Sequence, residues 1–224
     1  MDSQAASSRT EILDLLKPHQ TLLAVSKLQP IEKIQDLHSL GQIHFAENYV
    51  QEALEKIEKL QKLNLQWHLI GPLQKNKVKF LKKNFSYVHS IDSFELANLV
   101  SEKAIAIGHK QTVFLQINLS GEESKTGFDR GQLKNSWLDL QSLDGIKIIG
   151  LMTMPPLENA PEKNRKYFAE LKTLGATFNL TEFSMGTSQD YKIALEEGAT
   201  WIRIGTVLFG EREFKKKNNE SRTQ

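Results

Sequence analysis

The chain has no cysteine among its 224 residues. Disulfides, thiolate metal sites and cysteine nucleophiles are therefore excluded. No apolar run approaches the roughly 20 residues that cross a bilayer. Met1 to Thr10 is polar and lacks a signal-peptide core, so a cytoplasmic protein is expected. An excess of one charge is also missing: 29 basic and 27 acidic residues leave a net charge of only +2, which offers little to a nucleic acid. His19, His38, His44, His68, His89 and His109 show no metal-ligand spacing, so no metal site is expected. There is no G-x-S-x-G, and Gly121 to Gly127 lacks the Gly-Lys-Ser/Thr ending of a P-loop. Lys75, Lys77, Lys79, Lys82 and Lys83 have no interleaved aromatics and read as a solvated helix face.

What is present is an alternation of short apolar runs and helical stripes. Strands are expected at 21–27, 42–47, 66–70, 86–91, 112–118, 146–151, 182–184 and 201–204. A short helix over Glu11 to Leu16 precedes the first. Pro30 opens a helix carrying Ile31, Ile34, Leu37 and Leu40, stopped by Gly41. Asn48 reads as an N-cap, with Gln51 completing a capping box ahead of Val50, Leu54, Ile57 and Leu60. Further helices follow Pro72, start near Ser93, cover Leu133 to Leu143, include Phe168 and Leu171, and run to Glu197. Eight strands alternating with helices is the pattern of one closed (β/α)8 barrel. A doubly wound open sheet is the alternative, but the glycine-rich turn it normally carries after the first strand is missing. The expected organisation is a single domain over 1–210, with 1–20 as an N-terminal helical extension. The lysine- and asparagine-rich tail 211–224 is expected to be disordered.

Three groups of residues can carry chemistry. Lys27 closes the first strand in register with Leu23 and Val25, at the carboxyl end where α/β folds place ligands. A desolvated amine there can condense with an aldehyde, whereas a snorkelling lysine would only reach water. The loops after strands seven and eight carry Ser184, Gly186, Thr187 and Ser188, then Gly205 and Thr206. In barrels this pair of loops is the usual phosphate site, although small residues also cap helices. Arg203 lies between Ile202 and Ile204 in a strand buried on both sides. It faces either a ligand or an inward acidic partner. A phosphorylated aromatic aldehyde would engage lysine, arginine and phosphate loops together.

Several motifs carry a resemblance. They are Ala24-Val25-Ser26-Lys27, Glu47-Asn48-Tyr49-Val50-Gln51-Glu52, Trp67-His68-Leu69-Ile70-Gly71 and Gly150-Leu151-Met152-Thr153-Met154. Ser184-Met185-Gly186, Ser188, Gly198-Ala199-Thr200, Arg203-Ile204-Gly205-Thr206 and Phe209-Gly210 complete the set. Together they resemble the pyridoxal phosphate homeostasis protein family, an alanine racemase-like barrel without that enzyme's C-terminal β-domain. The likeness runs from the first strand to Gly210. It departs at Ala46, where the family usually has glycine, and at Thr187, where methionine is common.

The resemblance implies that Lys27 forms an aldimine with pyridoxal 5′-phosphate. Ser184, Ser188, Gly205 and Thr206 would hold the phosphate, Arg203 would face the pyridine nitrogen, and Asn48 and His68 would line the cavity. An arginine cannot accept the ring-nitrogen proton, so the ring would be a poor electron sink. The expected function is a cofactor carrier in vitamin B6 homeostasis without substantial catalysis, a monomer that supplies apo forms of cofactor-dependent enzymes. Two alternatives remain. An amino-acid racemase needs a second base, which alanine racemases take from a further domain expected to be absent here. A cofactor-free Schiff-base aldolase would need an acid/base partner for Lys27, and Glu47 is the candidate.

Overall fold

A computed structural model describes residues 3–122, 125–156 and 160–210. The tail 211–224, expected to be disordered, lies outside the described residues. Eight strands follow in chain order: β1 Thr21–Val25, β2 His44–Glu47, β3 Gln66–Leu69, β4 Tyr87–Ile91, β5 Gln111–Ile117, β6 Ile146–Thr153, β7 Glu182–Thr187 and β8 Trp201–Ile204. Each pairs in parallel with the next, and β8 returns to β1 with Leu23 opposite Arg203, closing the barrel. The expected single barrel is therefore the fold.

The helices are α1 Ser3–Leu13, α2 Ile31–Ser39, α3 Val50–Lys59, α4 Phe94–Ile105, α5 Arg130–Gln141, α6 Arg165–Thr177, α7 Tyr191–Glu196 and α8 Thr206–Phe209. Because helices cover the outside and side chains fill the inside, the strands read as nearly continuous apolar runs. The larger core lies between strands and helices. Leu22, Phe45, Val88, Leu115 and Ile202 meet Ile34, Leu37, Val100 and Phe168 there. A smaller cluster of Leu23, Val25, Ala46, Phe114, Met152 and Trp201 fills the barrel interior. Parity along each strand decides which set a residue joins.

Four local expectations change. The first strand ends at Val25, and Lys27 sits in the turn that follows it. The lysine-rich segment forms only a 3-10 turn over Lys75–Phe80. The first helix runs over Ser3–Leu13 rather than Glu11 to Leu16. Asn48 does not cap α3: the cap position is Tyr49 and makes no side-chain cap bond. The helix starts one residue later than its apolar stripe suggested, so the Asn48 amide is not placed to accept from its first-turn N–H groups. Ser93 does cap α4, accepting from the Leu96 N–H at 3.3 Å.

Candidate functional site

The β1–α2 connection is a β-turn in which the Gln29 N–H donates to the Ser26 carbonyl at 3.0 Å, with Lys27 and Leu28 at its centre. Leu28 has φ +60, a left-handed conformation that costs a residue with a Cβ about 1–2 kcal/mol. Its side chain is 54% exposed, so packing does not hold it there. Polar contacts do. The Leu28 N–H donates to Glu52 Oε1 at 2.6 Å, and the Lys56 Nζ donates to the Ser26 carbonyl at 2.7 Å. Lys56 also donates to Glu47 and Glu52 at 2.8 and 2.7 Å, and Ser26 Oγ donates to Glu47 at 2.7 Å.

Glu47 is fully buried in this cluster, on the face of β2 opposite to inward-facing Ala46. Burial pushes its carboxyl above the ordinary value, and Lys56 and Ser26 pull it back. The acid/base partnership that an aldolase would ask of Glu47 is thus corrected. Strand parity turns its carboxylate away from the barrel interior and into an ion pair with Lys56.

Inside the barrel, side chains from five strands join in one chain of hydrogen bonds. Arg203 Nη1 donates to Ser184 Oγ at 2.8 Å, and Ser184 Oγ lies 2.9 Å from His89 Nδ1. His89 Nε2 meets His68 Nδ1 at 3.0 Å, and His68 Nε2 meets His44 Nδ1 at 3.0 Å. Arg203 always donates, and each neutral imidazole carries one N–H. If Ser184 donates to His89, and His89 and His68 each donate onward from Nε2, the chain runs in one direction and ends with His44 Nδ1 accepting. His68 stacks on Tyr87 with centroids 4.5 Å apart, and His89 stacks on Phe114 at 4.2 Å. Burial, reinforced by its histidine neighbours, holds His68 well below the ordinary imidazole pKa. Burial and then Arg203 do the same for His89.

Arg203 is 3% exposed. Its other contacts are the Thr153 carbonyl at 2.9 Å and Met154 Sδ at 3.1 Å, so its hydrogen-bond partners among the described residues are neutral. The inward acidic partner considered from the sequence does not appear there. Burial lowers its pKa to about 10, with Asp190 opposing, and it remains a cation at neutral pH.

The two candidate phosphate loops meet: the Gly205 N–H donates to Ser188 Oγ at 3.3 Å. Gly205 also adjoins β1, because a Cβ built on it would stand 3.6 Å from the Val25 carbonyl. The loops therefore lie two residues from Lys27 along the chain. Gly186 has φ +89, and a Cβ there would fall 2.6 Å from that of Ala194, so glycine is required to bring this loop against α7. Thr206 is exposed, whereas Ser184 is fully buried with Arg203 and His89, below the Ser188–Gly205 pair. Asn48 follows β2 at the same rim, and its Oδ1 is buried without a hydrogen-bond partner. At this rim the Ser188–Gly205 loops suit an anion, and the orphan Asn48 oxygen suits a ligand that also carries a hydrogen-bond donor. Among the described residues no group of histidine and acidic side chains is placed to hold a metal, and no helix is long and apolar enough to cross a membrane.

Residues 2–213 match the family model of the alanine racemase N-terminal domain. The pyridoxal phosphate homeostasis protein of Aquifex aeolicus is 41% identical over 199 residues, 86% of this chain and 87% of that protein. That of Escherichia coli is 37% identical over 209 residues, 88% of each. The structure of PipY from Synechococcus elongatus with pyridoxal phosphate bound superposes with TM-score 0.88 at 38% identity, covering 92% of this chain and all of that one. The chain belongs to the pyridoxal phosphate homeostasis protein family.

The two departures from the family's usual residues are accommodated. Ala46 is buried on the inner face of β2, packed within the small interior cluster. Thr187 donates its hydroxyl to Asp190 at 3.0 Å, and its N–H reaches the same carboxylate at 2.7 Å. Gly71 after β3 has a direct physical reason. A Cβ on Gly71 would lie 2.2 Å from the Asn48 carbonyl oxygen, so only glycine lets these two loops touch. Gly71→Ala is expected to displace the Asn48 loop and cost about 1–3 kcal/mol in urea denaturation. A variant as stable as the parent would show that the loop yields freely.

Proposed function

We propose that this protein binds pyridoxal 5′-phosphate, holds it covalently on Lys27, and serves intracellular cofactor homeostasis rather than turnover. The observation that carries this reading is the arginine. Arg203 is a buried cation whose hydrogen-bond partners among the described residues are neutral, on the strand paired with the one that leads to Lys27. The cofactor supplies an aldehyde that condenses with a primary amine and a ring that can withdraw electrons. Condensation at Lys27 expels one water and requires the neutral amine. Ser188, Gly205 and Thr206 take the phosphate, Asn48 offers its unpaired oxygen to the ligand, and Ser184 and His68 act from beneath through Arg203. A guanidinium opposite the ring nitrogen has no proton-accepting atom, so it does not favour the protonated ring that strong electron withdrawal needs. The names of the relatives as homeostasis proteins support the same conclusion. The protein is proposed to be a cytoplasmic monomer delivering the cofactor to apo-enzymes.

The test is to incubate the loaded protein with amino acids in both enantiomers in deuterated solvent and follow α-hydrogen exchange, racemisation and decarboxylation. Transfer of the cofactor to an apo-enzyme is measured in parallel. Measurable transfer is expected, with exchange slower than that of a competent enzyme by at least the 10²–10⁴-fold a missing general base forfeits. Exchange at ordinary enzyme rates, abolished by Lys27→Ala, would favour a racemase instead.

A further inference from the structure

Lys56 is a buried lysine in α3 whose three ammonium protons go to three different segments. They reach the Ser26 carbonyl in the β1–α2 turn, Glu47 at the end of β2, and Glu52 one helical turn back. Glu52 then accepts the Leu28 N–H. Ser26, fully buried, is held a second time by its hydroxyl on Glu47 and a third time by its N–H on the Ala46 carbonyl at 3.0 Å. The residues immediately before and after Lys27 are thus both tied to one cluster centred on Lys56. Leu28 gains little from packing, being 54% exposed, and its positive φ is the conformation the turn would leave first.

We propose that Lys56, with Glu47 and Glu52, is a positioning device for Lys27: it holds the turn in the geometry that presents the Lys27 amine to the cofactor. The inference rests on Lys27 as the attachment point and assigns Lys56 no contact with the cofactor. The turn has a clamped, binding-competent form and a released form. Apparent affinity falls by the fraction of molecules that remain clamped, so a tenfold loss of the clamped form weakens binding about tenfold.

Lys56→Met separates this from general support of the fold. In the cofactor-free protein, amide exchange at Leu28 and Gln29 is expected to lose nearly all of its protection, the released form becoming the majority, with the barrel strands still protected. Titration with pyridoxal phosphate, followed by visible absorbance, is expected to show binding weakened by about tenfold, the clamped form having fallen to about a tenth. Glu52→Ala, at the partly exposed edge of the cluster, removes the Leu28 acceptor and one Lys56 contact while leaving Lys56 its bonds to Ser26 and Glu47. It should move both readings in the same direction, with about a third of the molecules left clamped and binding weakened about threefold, and it serves if Lys56→Met does not fold. Unchanged Leu28 and Gln29 exchange in a folded variant would overturn the proposal. So would faster exchange with undiminished binding. A cofactor label on a lysine other than Lys27 in the parent would sink the attachment reading, and the exchange arm would still decide whether Lys56 holds the turn.

Discussion

Borohydride reduction of the cofactor-loaded protein is expected to fix the pyridoxyl group on the peptide containing Lys27, and Lys27→Ala to abolish both the label and the visible absorbance. The effect should be all or none, because covalent attachment needs a primary amine and no neighbouring donor substitutes for it. Lys27 is favoured over the other lysines by its place in the fold. Lys56 is also buried and near, yet its protons are committed to Ser26, Glu47 and Glu52. Lys77 lies on the 3-10 turn after β3, and Lys125 pairs with Glu122 in the loop after β5. Lys27 follows the inward positions Leu23 and Val25 and stands two residues beyond the Gly205 contact. Peptide mass mapping after reduction reads the outcome. A label on Lys77 or Lys125 would mean that the mouth of β1 is not where the aldehyde docks. Non-covalent binding surviving in Lys27→Ala is compatible with the reading, since the phosphate loops and Arg203 remain. A surviving covalent label is not.

The barrel was legible because its strands are buried on both faces and so appear as apolar runs, cut by Gly71-Pro72 and Gly205. Arg203 was legible for the opposite reason, as a polar group inside an apolar strand, and Lys27, Ser188 and Gly205 as polar or small residues just past strand ends. Three features were not. The turn at Lys27 depends on a left-handed leucine, and leucine gives no sign of that conformation in a sequence. The histidine relay joins His44, His68 and His89, each from a different strand, and no spacing motif connects them. Only the closed parallel register, with Ala46 opposite His68 and His68 opposite Tyr87, brings the rings together. Glu47 looked close to Lys27 along the strand ends. The pleat sends it outward, and Lys56, nine residues later, completes a pair that only the packing of α3 on β2 creates.

Acidification is expected to destabilise the protein steeply below about pH 6.5, and the relay is the cause. His68 and His89 are held well below the ordinary value of 6.5 by burial, and His44 is lowered in the same direction. In the unfolded chain these rings regain that ordinary value. A group with a depressed folded-state pKa contributes stability that is present above its unfolded pKa and is lost as pH falls. Below 6.5 the unfolded chain binds protons that the folded relay refuses, at up to about 1.4 kcal/mol per pH unit for each ring. The two fully buried rings together therefore remove about 3 kcal/mol per pH unit, a large share of a typical domain's 5–15 kcal/mol. Glu47 works the other way: its raised pKa makes the folded state take up a proton more readily than the unfolded chain as pH falls. It is one group against two or three, so the histidines set the sign. Urea denaturation of the cofactor-free protein at pH 7.5, 6.5 and 5.5 measures the slope. His89→Gln keeps a donor and an acceptor in the relay but removes a titrating ring, and should flatten the slope by about 1.4 kcal/mol per pH unit. A parent whose stability is level across this range, or a variant with an undiminished slope, would show that the folded relay accepts protons as readily as the unfolded chain.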